Sequence, residues 1–139
     1  MGLRRDGREA AIQFLYQIDV HRPENLDEAR AAFWKQNEEP QSVRDFADDL
    51  LRGAIEKLPE VDAKIRPLAD NWDFERLAVV DRNILRLAVY EMLFRPEIPP
   101  VVSINEAIEI AKKFSTAESG KFVNGLLDRV KKELLRPAR

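Results

Sequence analysis

Apolar residues recur in this chain at three- and four-residue spacing almost from end to end, and no stretch of four or more alternates as a half-buried strand requires. That regularity confines the chain to an all-α fold. Ala11, Phe14, Leu15 and Ile18 make the first stripe. Asn25 caps a second helix, with Glu28 at the box position and Leu26, Ala29 and Phe33 facing inward. Ser42 opens a third, whose Val43, Phe46, Ala47, Leu50, Leu51, Ala54 and Leu58 stop before Pro59. A shorter piece carries Val61, Ile65 and Leu68 and is broken or kinked by Pro67. The longest helix is expected from about Asp73 to Phe94, through Leu77, Val80, Ile84, Leu87, Ala88 and Met92, with Pro99 and Pro100 holding the next connection extended. Ser103 and Glu106 then spell a capping box, ahead of the stripe Ile104, Ala107, Ile108, Ala111 and Phe114. A last helix carries Phe122, Val123, Leu126, Leu127, Val130 and Leu134.

Short connections between such helices imply antiparallel packing into bundles. At 139 residues the chain fits one domain, 1–139. The Pro59 and Pro67 region divides it into an N-terminal half of about 1–66 and a C-terminal half of about 67–139. With 45% hydrophobic and 35% charged residues, a packed core lies under a highly charged surface. No apolar run approaches the roughly 20 residues of a membrane span, and the start, Met1 to Asp6, lacks the apolar stretch of a secretory signal. Cysteine is absent, which removes disulfides and thiolate zinc sites and fits a reducing compartment. These features point to the cytoplasm.

Catalytic chemistry finds little support. His21 is the sole histidine and stands just before Arg22-Pro23, where a helix is ending. A di-iron bundle needs paired Glu-x-x-His motifs, and the five glycines form no nucleotide-binding loop. Capping explains Glu106, and a solvated face explains Glu109. The chain therefore reads as a non-enzyme without metal or cofactor.

Charge is informative by its distribution. The net value is −2. From Glu24 to Glu60 ten acids face five bases, whereas from Lys112 to Arg139 eight bases face three acids. The start adds Arg4, Arg5 and Arg8. If the termini meet, they form a basic face that the total conceals; the plainer alternative is two solvated helix ends. Lys121-Phe122 joins a cation to a ring, beside the small residues Asn124, expected to tie a loop, and Gly125, expected to let two helices approach closely. Phe122 also begins the stripe of the last helix, so core and nucleic-acid contact compete for it. Tyr16 shares a helix flank with Arg5 and Ile12 and should be partly exposed.

Five segments together carry a family resemblance. They are Arg4-Arg5-Asp6-Gly7-Arg8-Glu9-Ala10-Ala11 with Leu15-Tyr16; Val80-Asp81-Arg82-Asn83-Ile84-Leu85-Arg86-Leu87-Ala88-Val89-Tyr90-Glu91; Ile98-Pro99; Ile104 through Lys112; and Lys121-Phe122-Val123-Asn124-Gly125-Leu126-Leu127-Asp128. In this order they resemble the NusB transcription antitermination factors over almost the whole chain, most weakly in the acidic stretch from Glu24 to Gln41. The resemblance implies two small antiparallel helical bundles forming one domain. It implies a protein that pairs with NusE, a small-subunit ribosomal protein, and binds the boxA element of nascent RNA. Such a pair helps RNA polymerase through terminators, chiefly in ribosomal RNA operons.

Carried across by position, the resemblance puts Arg4, Arg5 and Arg8 on the RNA side, together with Ser119, Lys121 and Phe122, and Glu118 at the edge; Tyr16 joins them by the helix flank it shares with Arg5. It puts Glu75, Asp81 and Arg82 towards NusE. Asp6 and Gly7 depart from the family pattern: an acid dilutes the arginines, and glycine costs about 1 kcal/mol of helix propensity. Two other readings stand beside this one. One is a protein-binding helical adaptor whose basic ends only solubilise it. The other is the RNA-binding segment of an rRNA methyltransferase, which would make the chain a fragment because it ends at Arg139 without a methyl-donor region. A monomer and a homodimer are both open.

Overall fold

The helical stripes fold as expected into an all-α structure, which a computed structural model describes for residues 2–69 and 74–134. Among these residues there are seven α-helices and one 3-10 turn. They are α1 (Leu3–His21), α2 (Leu26–Gln36), α3 (Gln41–Glu56), α4 (Leu58–Leu68), the turn Phe74–Arg76, α5 (Val79–Phe94), α6 (Pro100–Phe114) and α7 (Ala117–Leu134). Asn25 caps α2 as its side chain predicts, accepting from the Glu28 N–H at 3.1 Å. Pro59 sits in the first turn of α4, where a missing N–H costs nothing, and Pro67 sits in its last turn. No helix of the described residues is long and apolar enough to cross a membrane.

Two local expectations give way. The helix expected from Asp73 begins at Val79; Phe74–Arg76 is a separate turn that buries Phe74, and Asp73 lies outside the described residues. The capping box at Ser103 does not form. Pro99 and Pro100 both hold φ near the helical value, so α6 starts at Pro100 and Ser103 falls inside its first turns. The freed Ser103 hydroxyl donates to Glu91 Oε1 at 2.9 Å.

One contiguous core runs from α1 to α7. Its axis is α5, which packs against α1, α3, α4, α6 and α7 and is buried on every face from Asp81 to Met92. The first bundle groups α1, α2 and α3, with Phe14 and Phe33 edge to face at 5.4 Å. The second groups α5, α6 and α7, and α4 packs on α5 and α7.

A helix enclosed on all sides is normally apolar throughout, yet α5 carries Asp81, Arg82, Asn83, Arg86 and Glu91 in its buried span. Unpartnered, these groups would cost several kcal/mol each. Asp19 of α1 instead accepts from Arg82 Nε at 2.9 Å, Asn83 Nδ2 at 3.0 Å and Arg86 Nη1 at 2.9 Å. Arg86 also donates two 2.9 Å bonds to Asp62 of α4. Near the other end of α1, Arg8 donates twice to Glu91, each at 2.9 Å. The antiparallel register of α1 on α5 is thus set at both ends by charge. The Phe74 ring receives the guanidinium groups of Arg66, Arg82 and Arg86 at 4.7, 5.7 and 5.3 Å from its centroid.

Gly7 belongs to this packing and does not loosen the first turn. A Cβ there would lie 2.5 Å from Phe46 Cδ2, where α1 crosses α3. The close approach expected at Gly125 occurs instead at Gly120, where a Cβ would lie 3.3 Å from Lys112 Cγ across the α6–α7 contact.

Gly7→Ala therefore has opposed terms: about 1 kcal/mol of propensity gained against about 1–3 kcal/mol of overpacking. The variant should melt below the wild type; a higher melting temperature would show that Phe46 yields freely.

Burial pushes the Asp19 carboxyl up, but hydrogen bonds from Asn83 and Arg82 and the charge of Arg86 outweigh it and hold the group below its ordinary value. A lowered folded pKa stabilises above the ordinary carboxylate value of about 3.9, and this contribution disappears as pH falls through the folded value. Asp19→Asn should cost about 3 kcal/mol at pH 7, as for one broken buried pair. In urea titrations, the gap to the wild type should narrow below about pH 4.

Candidate nucleic-acid interface

The arginine-rich start does not present three arginines to solvent. Arg4 is exposed. Arg5 lies against α6 and donates through Nε to Glu106 Oε1 at 2.7 Å, with a second contact from Nη2 to Oε2. Arg8 is 4% exposed and committed to Glu91, with Glu106 a further 3.7 Å neighbour. Its position explains this: Arg8 is three residues before Ala11 on the apolar face of α1, and Glu91 continues the Ile84–Leu87 face of α5. The surface role expected of Arg8 is corrected to a structural one. The Arg5 hydrogen bond outweighs burial and lowers the Glu106 carboxyl, which is the partner that sequence inspection assigned to a cap.

Further along the same seam, Lys113 donates to Glu9 at 2.8 Å and lies 5.3 Å from the centroid of the Phe114 ring. Tyr16 is 43% and Phe114 38% exposed. With Ile12, Gln13, Gln17 and Val80 they line an open groove of about 600 Å³. Tyr16 is exposed as expected and shares this groove with Ile12 of its own flank and with Phe114 and Val80 of α6 and α5.

Val80 lines this groove, and its neighbour Asp81 lines a second one. Thr116 Oγ1 accepts from the Ser119 N–H at 3.0 Å and caps α7. The Ser119 hydroxyl donates to Asp81 Oδ2 at 2.9 Å, tying α7 to α5. Phe122 is half-buried, its ring packed on the core, and with Arg76, Leu77, Asp81, Glu118 and Ser119 it lines a cavity of about 350 Å³. It is thus both packing residue and wall. Lys121 is exposed and pairs with Glu118 at 3.5 Å.

From Arg4 to Tyr16 the α1–α6 seam extends roughly 18 Å at the helical rise; Val80 lines its far end and the next residue, Asp81, lines the cavity of Ser119 and Phe122. Arg4 and Arg5 lie at one end of the seam and Tyr16 further along it, whereas Glu118, Ser119 and Phe122 line the second cavity, with Lys121 paired to Glu118. Glu9, Glu106, Lys113 and Phe114 belong to the seam and were missed. Phe114 was visible only as a stripe residue, and the other three pair across about 100 positions of sequence.

The three residues expected to face NusE separate. Glu75 is 64% exposed and pairs with Arg66 at 3.1 Å. Asp81 is buried, as is Arg82, whose guanidinium also donates to the carbonyls of Phe74 at 3.3 Å and Glu75 at 3.2 Å. Arg82 holds the 74–76 turn from beneath and is no surface contact, because Asp19 and these carbonyls occupy its donors.

The NusB family model matches residues 5–132. Transcription antitermination protein NusB of Thermodesulfovibrio yellowstonii is 44% identical over 139 residues, covering 94% of this chain and 92% of the relative. That of Geobacter sulfurreducens is 46% identical over 130 residues, covering 94% of each. Among solved structures, T. maritima NusB superposes with a TM-score of 0.81 at 43% identity, covering 94% of this chain and 91% of that one. A crystal structure of antitermination factors NusB and NusE in complex with double-stranded RNA superposes with a TM-score of 0.82 at 29% identity, covering 96% of this chain and 98% of that chain. Sequence and fold agree over nearly the full length, and the chain belongs to the NusB family.

Proposed function

We propose that this chain is a transcription antitermination factor that binds boxA RNA together with NusE and so promotes read-through by RNA polymerase, chiefly in ribosomal RNA operons. The observation that carries the reading is the α1–α6 seam, with cations and partly exposed rings set along it: Arg4, Lys113, Tyr16 and Phe114, continuing to Lys121 and Phe122. Single-stranded RNA offers phosphates to cations and unstacked bases to rings. The relatives named as antitermination proteins, and the NusB relative solved with NusE and RNA, support the same reading.

In this reading Arg4 and Lys121 contact phosphates and Phe122 gives one face to a base. Ser119 holds the loop edge, and Glu118 tunes Lys121. Arg5 contributes while remaining braced by Glu106, and Tyr16 with Phe114 forms the floor between the two basic ends. Glu75 faces NusE, with Asp81 at the rim and Arg82 supporting the turn beneath Glu75. With a net charge of −2 the chain binds RNA weakly alone, and a basic partner extends the positive surface.

Arg4→Ala should flatten the log–log salt dependence of RNA binding by about 0.7, one single-strand phosphate contact. Arg8→Ala should instead lower folding stability by about 3–5 kcal/mol, as for a broken buried pair. Titrations across a salt series, with a melt of each variant, separate the two arginines; an unchanged slope for Arg4→Ala removes it from the RNA site.

Phe122→Ala should weaken boxA binding by about one to two decades, since stacking on one base is worth roughly 1–3 kcal/mol. The accompanying fall in melting temperature should be small, because the ring is only half-buried. A variant that melts far lower and loses NusE as well would make Phe122 a core residue. Charge reversal in Glu75→Lys should reduce capture of NusE without changing RNA binding by the free chain; equal capture excludes that contact.

A further inference from the structure

The turn Phe74–Arg76 is too short to hold its own shape. It is a three-residue 3-10 turn, closed by a backbone bond from the Leu77 N–H to the Phe74 carbonyl at 3.4 Å, and hydrogen-bond geometry in such turns is poor. Glu75 stands exposed in its middle. Rigidity comes from the helices around it. The Phe74 ring is buried, and three guanidinium groups approach it: Arg66 of α4 at 4.7 Å from the centroid, then Arg86 and Arg82 of α5 at 5.3 and 5.7 Å. Arg82 is fixed by Asp19 and Arg86 by Asp62, and Arg82 also holds the carbonyls of Phe74 and Glu75. Arg66 lies further out, and its Nη2 donates to Glu75 Oε1 at 3.1 Å. The cluster thus joins three guanidinium groups to the carboxylates of Asp19, Asp62 and Glu75. Asp19 and Asp62 are enclosed, so Glu75 is the one of the three that reaches solvent.

We infer that Arg66 and Phe74 are positioning residues for Glu75: the ring seats the Arg66 guanidinium, and that guanidinium holds the Glu75 carboxylate in one orientation for a cation of NusE. This rests on the reading above that Glu75 faces NusE, and adds how the carboxylate is presented. A long side chain ordered before association has less rotamer freedom to lose when the partner arrives. Arginine suits the task, because its planar group lies on a ring face while its edge meets a carboxylate. The role has a distinctive sign. By charge alone, a cation beside Glu75 repels a basic partner and competes for the carboxylate, so its removal would favour binding. Positioning makes the same removal unfavourable.

The test titrates the full chain with NusE, comparing wild type, Glu75→Ala, Arg66→Ala, Arg66→Lys and Phe74→Leu, the last three also combined with Glu75→Ala. Arg66→Ala should weaken NusE binding about two- to tenfold, the scale of ordering one long side chain. Its melting temperature should stay near the wild-type value, because the pair it breaks is exposed. Arg66→Lys should not restore binding, since an ammonium keeps the charge and loses the planar fork. Phe74→Leu keeps apolar bulk, removes the ring face and should weaken NusE binding by a similar factor. Once Glu75 is alanine, none of the three changes should cost anything further in affinity. Arg66 lies at the surface, so its variants decide the question even where Phe74→Leu folds poorly. If Glu75→Ala binds NusE as wild type does, the reading that Glu75 faces NusE fails and the inference falls with it. If Glu75→Ala weakens binding while Arg66→Ala binds as tightly as wild type or more so, the positioning role alone is overturned. Equal losses with and without Glu75 would show Arg66 and Phe74 acting independently of it, and would also overturn the role.

Discussion

Asp19 is the point on which the arrangement of the two bundles turns. One carboxylate of α1 collects donors from Arg82, Asn83 and Arg86, three residues within two turns of α5. Arg86 passes the connection on to Asp62 in α4, so three helices share one charged junction. Apolar packing alone tolerates sliding of one helix along another, whereas a carboxylate that must meet three donors does not. With Arg8 and Glu91 locked further along, α1 has a single register on α5. That register brings Arg5 to Glu106 and Tyr16 to Val80, and so produces the seam.

The electrostatics of the seam are those of a surface already half neutralised. Arg5 has Glu106, Lys113 has Glu9, and Lys121 has Glu118. In the proposed role a phosphate arriving at one of these three cations exchanges with a carboxylate, whereas the exposed Arg4 meets it directly. The exposed pairs yield easily, and the more enclosed Arg5–Glu106 pair yields least. This graded arrangement reconciles a net charge of −2 with an RNA-facing role. It also means that the count of basic residues overstates the number of phosphates the free chain can engage.

Helical class, the stripes and the α2 cap were legible because each is written within a few residues. Boundaries failed where two local signals competed. Ser103 and Glu106 match a capping box, but Pro99-Pro100 start the helix earlier, and the two polar residues then serve Glu91 and Arg5 on other helices. The site was legible in composition and not in depth. A cluster of Arg4, Arg5 and Arg8 looks uniform in sequence, while the helix turns Arg4 outward and Arg8 inward. Arg82 misled in the same way. Buried charge is invisible to hydropathy patterning because its partner is distant: Arg8 and Glu91 are 83 positions apart, and Asp19 and Arg86 are 67.

The same distances bear on when the protein becomes competent. Arg5 reaches Glu106 across 101 positions, and Glu9 reaches Lys113 across 104. Contacts between segments so far apart close late, after local helices have formed, because the loop entropy must be overcome first. On the ribosome, α1 emerges early and waits for α5 as scaffold and α6 as facing wall. A nascent or truncated chain can be largely helical and still display no seam. The proposed binding surface is therefore a property of the finished tertiary structure and not of any one helix.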